Sequence, residues 1–317
     1  MGWRSVIITQ PAYLALSHRA MQIRLDENSA QIPLEDMAVL LIDSPQVTLS
    51  AQLLSACAEA QIAVISVGSS HHPNGVFLPF LSHSRTLKVM RAQLALGTTT
   101  KKQLHKTLIK RKVLNQLEVL KQTRRLEFTE RLARLAGSIR SGDPDNVEGQ
   151  AAHVYFRALF ASGFSRGQGR FYNAALNYGY AVLRAAIARS LTCYGFLPAF
   201  GLFHCNEQNS FNLADDLIEP YRPIIDRWVC THYSLEPDHE LEREDKAHLV
   251  SLLHEDVVLT SHRAGDGACT VLAGVDATVM SLARVVLGLA DAKMLVMPCL
   301  DRVHFDSDDS VEKESCE

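Results

Sequence analysis

Along the first eighty residues, apolar positions come in short β-branched bursts. Residues 5–9 form one such run, and 13–17 and 21–25 follow it, with Ser17-His18-Arg19 as the turn between them. Residues 38–43 are continuously apolar up to Asp43, the pattern of a strand covered on both faces. From Ser50 the spacing becomes helical through residue 60, with Ser50 placed as an N-cap. Residues 62–67 read as another strand and 69–75, rich in Ser, His, Pro, Asn and Gly, as a loop.

Beyond residue 85 the strand signal nearly vanishes. Helical periodicity occupies roughly 86–140, 148–162, 173–190, 212–232, 242–254 and 274–290. The expected fold class is α+β, a small N-terminal β-rich domain followed by a larger all-α domain. The divisions expected are 1–82 for the β-rich domain, 83–97 for a linker, 98–305 for the helical domain and 306–317 for an acidic flexible tail. No run of about 18 apolar residues occurs, so no membrane span is expected. Arg4, Gln10 and Pro11 interrupt what would be the apolar core of a signal peptide, so the expected compartment is the cytoplasm. Seven cysteines, none closer than twelve residues to the next, form neither a disulfide framework nor a thiolate zinc site.

Composition adds little until it is divided. The chain of 317 residues is 47% hydrophobic and 21% charged, which excludes disordered and collagen-like classes. Its net charge of −3 by itself argues against nucleic acid. Yet residues 85–140 hold 15 Lys/Arg against only Glu118, Glu127 and Glu130, a balance of +12, and the rest of the chain carries −15. Lys101, Lys102, Lys106, Lys110, Arg111 and Lys112 crowd a dozen positions. Cations repeated along one helix are a footprint for a phosphate backbone. A solvated helix face is the alternative, weakened by the lack of acids at i±4 to relieve the repulsion.

Four stretches could carry chemistry. In Asp143-Pro144-Asp145-Asn146-Val147-Glu148-Gly149, a turn leads into a helix with Glu148 near its start. Gly149 would let a ligand backbone come close, and a helix-dipole role for Glu148 is the alternative. Ser165 to Asn173, with Arg166 and Arg170, opens a helix on which Asn173, Asn177, Tyr180 and Arg184 form one polar stripe. That stripe fits either phosphate binding or a polar seam between helices. Gly195 to His204 ends an apolar run on a histidine that a core position would also explain. Asp215 and Asp216 precede Glu219 by four and three residues, so the carboxylates can share a helix face that a divalent cation would neutralise. No GxGxxG, GxxxxGK[ST] or GxSxG occurs, which removes the common nucleotide-binding and α/β-hydrolase classes.

These stretches, in this order, resemble the CRISPR adaptation integrase family (CRISPR-associated protein 1), and the opening Met-Gly-Trp-Arg resembles its type II branch. The matching pieces are Ile32-Pro33-Leu34-Glu35-Asp36, Asn146-Val147-Glu148-Gly149, Asn173 to Tyr180, Gly195 to His204 and Asp216 to Pro223, covering residues 1 to about 235. The resemblance implies a β-domain, here also the dimerisation unit, joined to a helical catalytic domain. It places the catalytic metal ligands on Glu148, His204 and Glu219, binding Mg²⁺ or Mn²⁺. Many relatives have Asp at the third position, and Asp216 matches a further acid, so the third ligand lies between Glu219 and Asp216.

The same resemblance implies the reaction. A 3′-hydroxyl of a short DNA duplex attacks a phosphodiester at a repeat boundary of the CRISPR array, and water in its place would cut DNA. The implied DNA contacts are Lys101, Lys102, Lys106, Lys110, Arg111, Lys112, Arg166, Arg170, Asn177 and Tyr178. The implied partners are double-stranded prespacer DNA with 3′ ends, the CRISPR repeat, a second copy of the chain, and a dimer of CRISPR-associated protein 2 bridging two homodimers. The competing classes are a non-catalytic DNA-binding scaffold and a hydrolytic DNA nuclease without integration.

Overall fold

The computed structural model of the chain describes residues 4–25, 28–68, 73–79, 84–160, 171–232, 241–262 and 267–302. Its N-terminal part is built from β1 (Arg4–Ile8), β2 (Ala12–Ser17), β3 (Ala20–Arg24), β4 (Ser29–Pro33), β5 (Met37–Ile42), β6 (Val47–Leu49), helix α1 (Ala51–Glu59), β7 (Ala63–Val67) and β8 (Pro73–Phe77). One four-stranded sheet runs β4-β3-β2-β6 and the other β1-β5-β7-β8, with β1, β5 and β7 parallel. The two-residue turn between β2 and β3 sets His18 and Arg19 at positive φ, as a tight hairpin requires. Ser50 caps α1 by accepting from the Leu53 N–H at 3.2 Å. Strands β4 and β6 had no signal in the apolar pattern. β8 occupies all of the described part of a span read as a loop. It is an edge strand, where the opening Pro73 costs no ladder bond and Gly75 admits the Ser66 side chain.

Strand β5 is buried along its length because it stands between two cores. Val39 and Leu41 face the helical part, and Leu40 faces the core shared with α1, β2 and β3. Ile65 and Val64 of β7 divide in the same way. The period-two alternation of a strand therefore joins the two parts through one wall. The clamp is also polar. Asp43, just past β5, receives Lys246 of a later helix at 3.0 Å with both side chains buried, and the Ser5 N–H donates to His254 Nε2 at 2.9 Å. The span read as a linker holds helix α2 (Thr86–Leu94). Its buried Gln93 accepts from the Leu197 N–H and donates to the Leu197 and Phe200 carbonyls.

The C-terminal part contains α3 (Thr98–Gln122), α4 (Thr129–Ser138), α5 (Val147–Phe160), α6 (Phe171–Cys193), α7 (Asn212–Ile218), α8 (Arg222–His232), α9 (Arg243–Ser251) and α10 (Val271–Val286). It is not purely helical. A short antiparallel ribbon, β9 (Asp256–Val257) with β10 (Cys269–Thr270), precedes α10. The periodic span 86–140 is three helices, interrupted at Gly97 and at Arg124, whose φ is 57°. α6 is the central helix, buried on nearly every side. Gly179 lets it lie against α8 and α9: a Cβ there would stand 2.6 Å from Ile225 Cγ2 and 3.3 Å from Leu249 Cδ2. No helix among the described residues is long and apolar enough to cross a membrane, and the described cysteines are free thiols. Met1 to Trp3, His71-His72, Arg166, Arg170, residues 236–240 and the 306–317 tail lie outside the described residues.

Candidate active site

The first candidate ligand is placed by a helix cap. Asp143 and Asn146, both at positive φ, fold the turn before α5. The Asp143 carboxylate accepts from the N–H groups of Val147 and Glu148, each at 2.9 Å, and Asn146 Oδ1 accepts from the Gly149 N–H at 3.2 Å. These bonds satisfy first-turn donors and leave Glu148 projecting from a rigid helix start. Gly149 serves this cap: a Cβ would lie 2.7 Å from the Asn146 side chain. The space expected for a ligand backbone is filled by the protein's own asparagine.

The second and third candidates depend on α7. Asp216 is 2% exposed and organises the loop ahead of it, accepting from the N–H groups of Leu202, Phe203 and His204 and meeting His204 Nδ1 at 2.8 Å. Gly201 is required in this loop, since a Cβ would meet the His204 carbonyl oxygen at 2.2 Å. The Asp216 hydrogen bond holds the His204 pKa above the ordinary histidine value, against the effect of burial. Nδ1 is thereby engaged, and Nε2 is the imidazole nitrogen left to face a ligand. Asp215 instead pairs with Arg184 of α6 at 2.8 Å. The stripe on α6 is thus partly a seam, because Tyr180 also hydrogen-bonds Asp226.

Glu219 follows α7 and is 5% exposed. Its Oε1 stands 3.0 Å from Arg222 Nε, and its Oε2 stands 2.5 Å from Lys112 Nζ. The same ammonium is 2.6 Å from Glu148 Oε1. Glu148 and Glu219, 71 positions apart in the chain, therefore face each other across one buried cation supplied by α3. Burial opposes the Lys112 charge, but the two carboxylates outweigh it and hold the pKa above the usual lysine value. Burial likewise pushes the Glu219 carboxyl up, and Lys112 with Arg222 more than reverses it. Behind Glu148 lies His105, 4% exposed, with Nε2 at 3.9 Å from Glu148 Oε2 and its ring stacked on Phe203 at 3.8 Å. Burial lowers the His105 pKa although Glu148 opposes the shift.

The structure sorts the expected DNA contacts. Lys102, Lys106 and Lys110 are exposed, and Lys101 is half-buried. Lys106 and Lys110 line a groove of about 560 Å³ that Lys293 joins from the C-terminal segment. Arg111 lines the same groove and is also paired with Asp301 at 3.2 Å. Lys112 belongs to the carboxylate pair and not to the exposed face. Tyr178 is fully buried, its hydroxyl without a hydrogen-bond partner among the described residues, so it has no surface to offer DNA, whereas Asn177 beside it is exposed. Sequence reasoning alone misses His105 and Lys112 as members of the site. They lie seven apart on one face of α3, and that histidine–lysine spacing is the available signal.

Among the described residues, no three His, Cys, Asp or Glu side chains converge closely enough to hold a metal ion. The donor chemistry nevertheless fits a hard divalent cation: two carboxylates already share a cation, and His204, near enough for the Glu219 charge to raise its pKa, keeps Nδ1 on Asp216 and offers Nε2.

Comparison with known proteins adds family and fold. The family model described as CRISPR associated protein Cas1 matches residues 5–251. A CRISPR-associated endonuclease Cas1 from Neisseria meningitidis serogroup C is 41% identical over 301 residues, covering 94% of this chain and 96% of its own. A casposase bound to integration product superposes with a TM-score of 0.74 at 16% identity, covering 95% of this chain and 96% of that one. The chain in a Cas6-RT-Cas1–Cas2 complex gives a TM-score of 0.68 at 15% identity, over 92% of this chain and 36% of that one.

Proposed function

The chain belongs to the CRISPR associated protein Cas1 family, and on that premise we propose that it is the integrase of CRISPR adaptation, with endonuclease activity, in which Glu148 and Glu219 form the reaction centre. In this reading a 3′-hydroxyl of prespacer DNA attacks a phosphodiester at a repeat boundary, one P–O bond forming as another breaks. The observation that carries it is the facing pair of Glu148 and Glu219 around a buried cation, with His204 held alongside by Asp216.

A divalent cation, Mg²⁺ or Mn²⁺, would be held by Glu148, Glu219 and His204 Nε2, and would supply charge neutralisation at the phosphate and a more acidic hydroxyl. Glu219 is favoured over Asp216 as the third ligand because the Asp216 oxygens are already taken by three backbone N–H groups and His204. Asp216 is then a positioning residue, keeping the His204 ring in one orientation and one tautomer. Arg222 and Lys112 hold the buried Glu219 ionised.

Exposed Lys102, Lys106 and Lys110, with Lys101, would hold backbone phosphates, and Arg166, Arg170 and Asn177 extend that set. The chain would act as a homodimer, with two homodimers bridged by a dimer of CRISPR-associated protein 2, in a system of the type II branch. Family membership and the similar Cas1–Cas2 complex support this assembly.

The test is strand transfer into a plasmid carrying a repeat. Glu148→Gln should reduce joined product at least about a hundredfold while duplex DNA affinity stays within about threefold. Integration retained by the purified variant would remove Glu148 from the chemistry. Shortened DNA without joined product in the unmodified protein would favour a hydrolytic nuclease.

A further inference from the structure

Lys112 is the least expected member of the site. It comes from the middle of a helix otherwise studded with exposed lysines, yet it is 9% exposed and makes ion pairs of 2.6 and 2.5 Å to two acids from different elements. It approaches Glu148 Oε1 and Glu219 Oε2, the inner oxygen of each carboxylate. The outer oxygens look elsewhere, Glu148 Oε2 toward His105 at 3.9 Å and Glu219 Oε1 toward Arg222 at 3.0 Å. The ammonium thus stands where the two carboxylates would jointly offer their inner oxygens to any other cation.

Charge opposes both cations there. Mg²⁺ takes oxygen ligands at about 2.0–2.1 Å. An ion at that distance from both inner oxygens would stand within about 4.7 Å of an ammonium that is 2.6 and 2.5 Å from the same two atoms. Like charges so close in a largely buried site repel strongly. Binding of one therefore favours departure of the other.

We propose that Lys112 is a resident counter-cation that holds Glu148 and Glu219 as a facing pair in the metal-free chain and is displaced from between them when a divalent cation binds. The inference rests on the metal reading given above and deepens it, because it makes the affinity of the site for metal a property set by a residue that is not a ligand. Holding Glu148 beside the buried Glu219 with Arg222 as the single compensating charge would be costly, so Lys112 lets the site fold before loading. The same ion pairs then weaken loading, since they must be broken first.

The test is Mn²⁺ binding to the full chain, followed by electron paramagnetic resonance of the free ion. Lys112→Met keeps an unbranched side chain of nearly the same reach and removes the charge. It should bind Mn²⁺ at least tenfold more tightly than the unmodified protein, and equal or weaker binding overturns the proposal. A second readout needs no variant. Acylation of lysines, followed by mass spectrometry, should modify Lys112 several-fold faster with saturating Mn²⁺ than with chelator, with exposed Lys106 and Lys110 as internal references. An unchanged Lys112 rate overturns the proposal even if the variant fails to fold. Absence of Mn²⁺ binding by the unmodified protein removes the metal reading and this inference with it. Binding that neither Lys112 readout perturbs removes this inference alone.

Discussion

The two faces of α3 carry the same residue types to opposite ends. On one face Lys102, Lys106 and Lys110 are exposed, and Lys106 and Lys110 border an open groove. On the other, His105, Lys112, Asn115 and Gln116 are buried. Asn115 is fully buried and donates to the carbonyls of Pro220 and Pro298 at 2.8 and 3.1 Å, while its Oδ1 accepts from the Leu300 N–H at 3.2 Å. Pro220 directly follows Glu219, so Asn115 and Lys112 fix the same turn, one through its backbone and one through its carboxylate. A cation in water is held by solvent and screened by salt. One buried against carboxylates is part of the structure, and its removal leaves a buried charge without part of its compensation.

That contrast can be broken in graded steps. The largest effect should come from Lys112→Met in chelator, which leaves Glu148 without its ammonium and the buried Glu219 with Arg222 alone, and should cost about 3–5 kcal/mol in urea denaturation. Adding Glu219→Gln should recover part of the loss, and a fully additive double mutant would mean that the two residues are not coupled. Next, Asn115→Leu strands two carbonyls and one N–H and should cost about 3 kcal/mol by the same measurement. On the opposite face, Lys106→Gln with Lys110→Gln should leave stability within about 0.5 kcal/mol. The same pair should flatten the slope of log affinity for duplex DNA against log salt by about 2, roughly 0.9 for each phosphate no longer neutralised. An unchanged salt slope would take this face out of DNA binding.

The smallest effect concerns a half-buried polar contact at the seam between the two parts. His254 accepts from the Ser5 N–H, and burial holds its pKa below the ordinary 6.5. Folding therefore favours the neutral ring. Its contribution is complete above the ordinary histidine value and is lost as pH falls through the lower folded value. His254→Gln keeps an acceptor without the titration, so its melting temperature should decline less than that of the unmodified protein as pH drops below about 6.5. Parallel declines in both proteins would show that this histidine does not contribute.

Much of the frame is legible in the chain because it rests on local rules. The unbroken apolar run ending at Asp43 is a doubly covered strand, Ser50 is a cap, and His18-Arg19 is a two-residue turn. Glu148 in the first turn of its helix and Glu219 three residues after Asp216 both stand out, by helix-start and carboxylate spacing. Short strands are harder. Residues 73–77, with Pro, Asn and Gly among five positions, pair as an edge strand only because β7 is there to receive them.

Rotation and company are not written in the local pattern. Helix α3 has polar side chains on both faces, so periodicity does not identify which lysine turns inward, and Lys112 reads like its exposed neighbours. Tyr178 next to exposed Asn177 is misplaced for the same reason, one step of about 100° around α6. Local order along the chain suffices for most elements, the basic segment and the separate acids, since caps, turns and hydrophobic period act over a few residues. Folding in three dimensions is needed before α3 can deliver an ammonium between acids 71 positions apart, or Asp216 can be spent on the His204 loop. Those outcomes depend on packing between distant elements, where burial converts an ordinary charge into one that must find its partner.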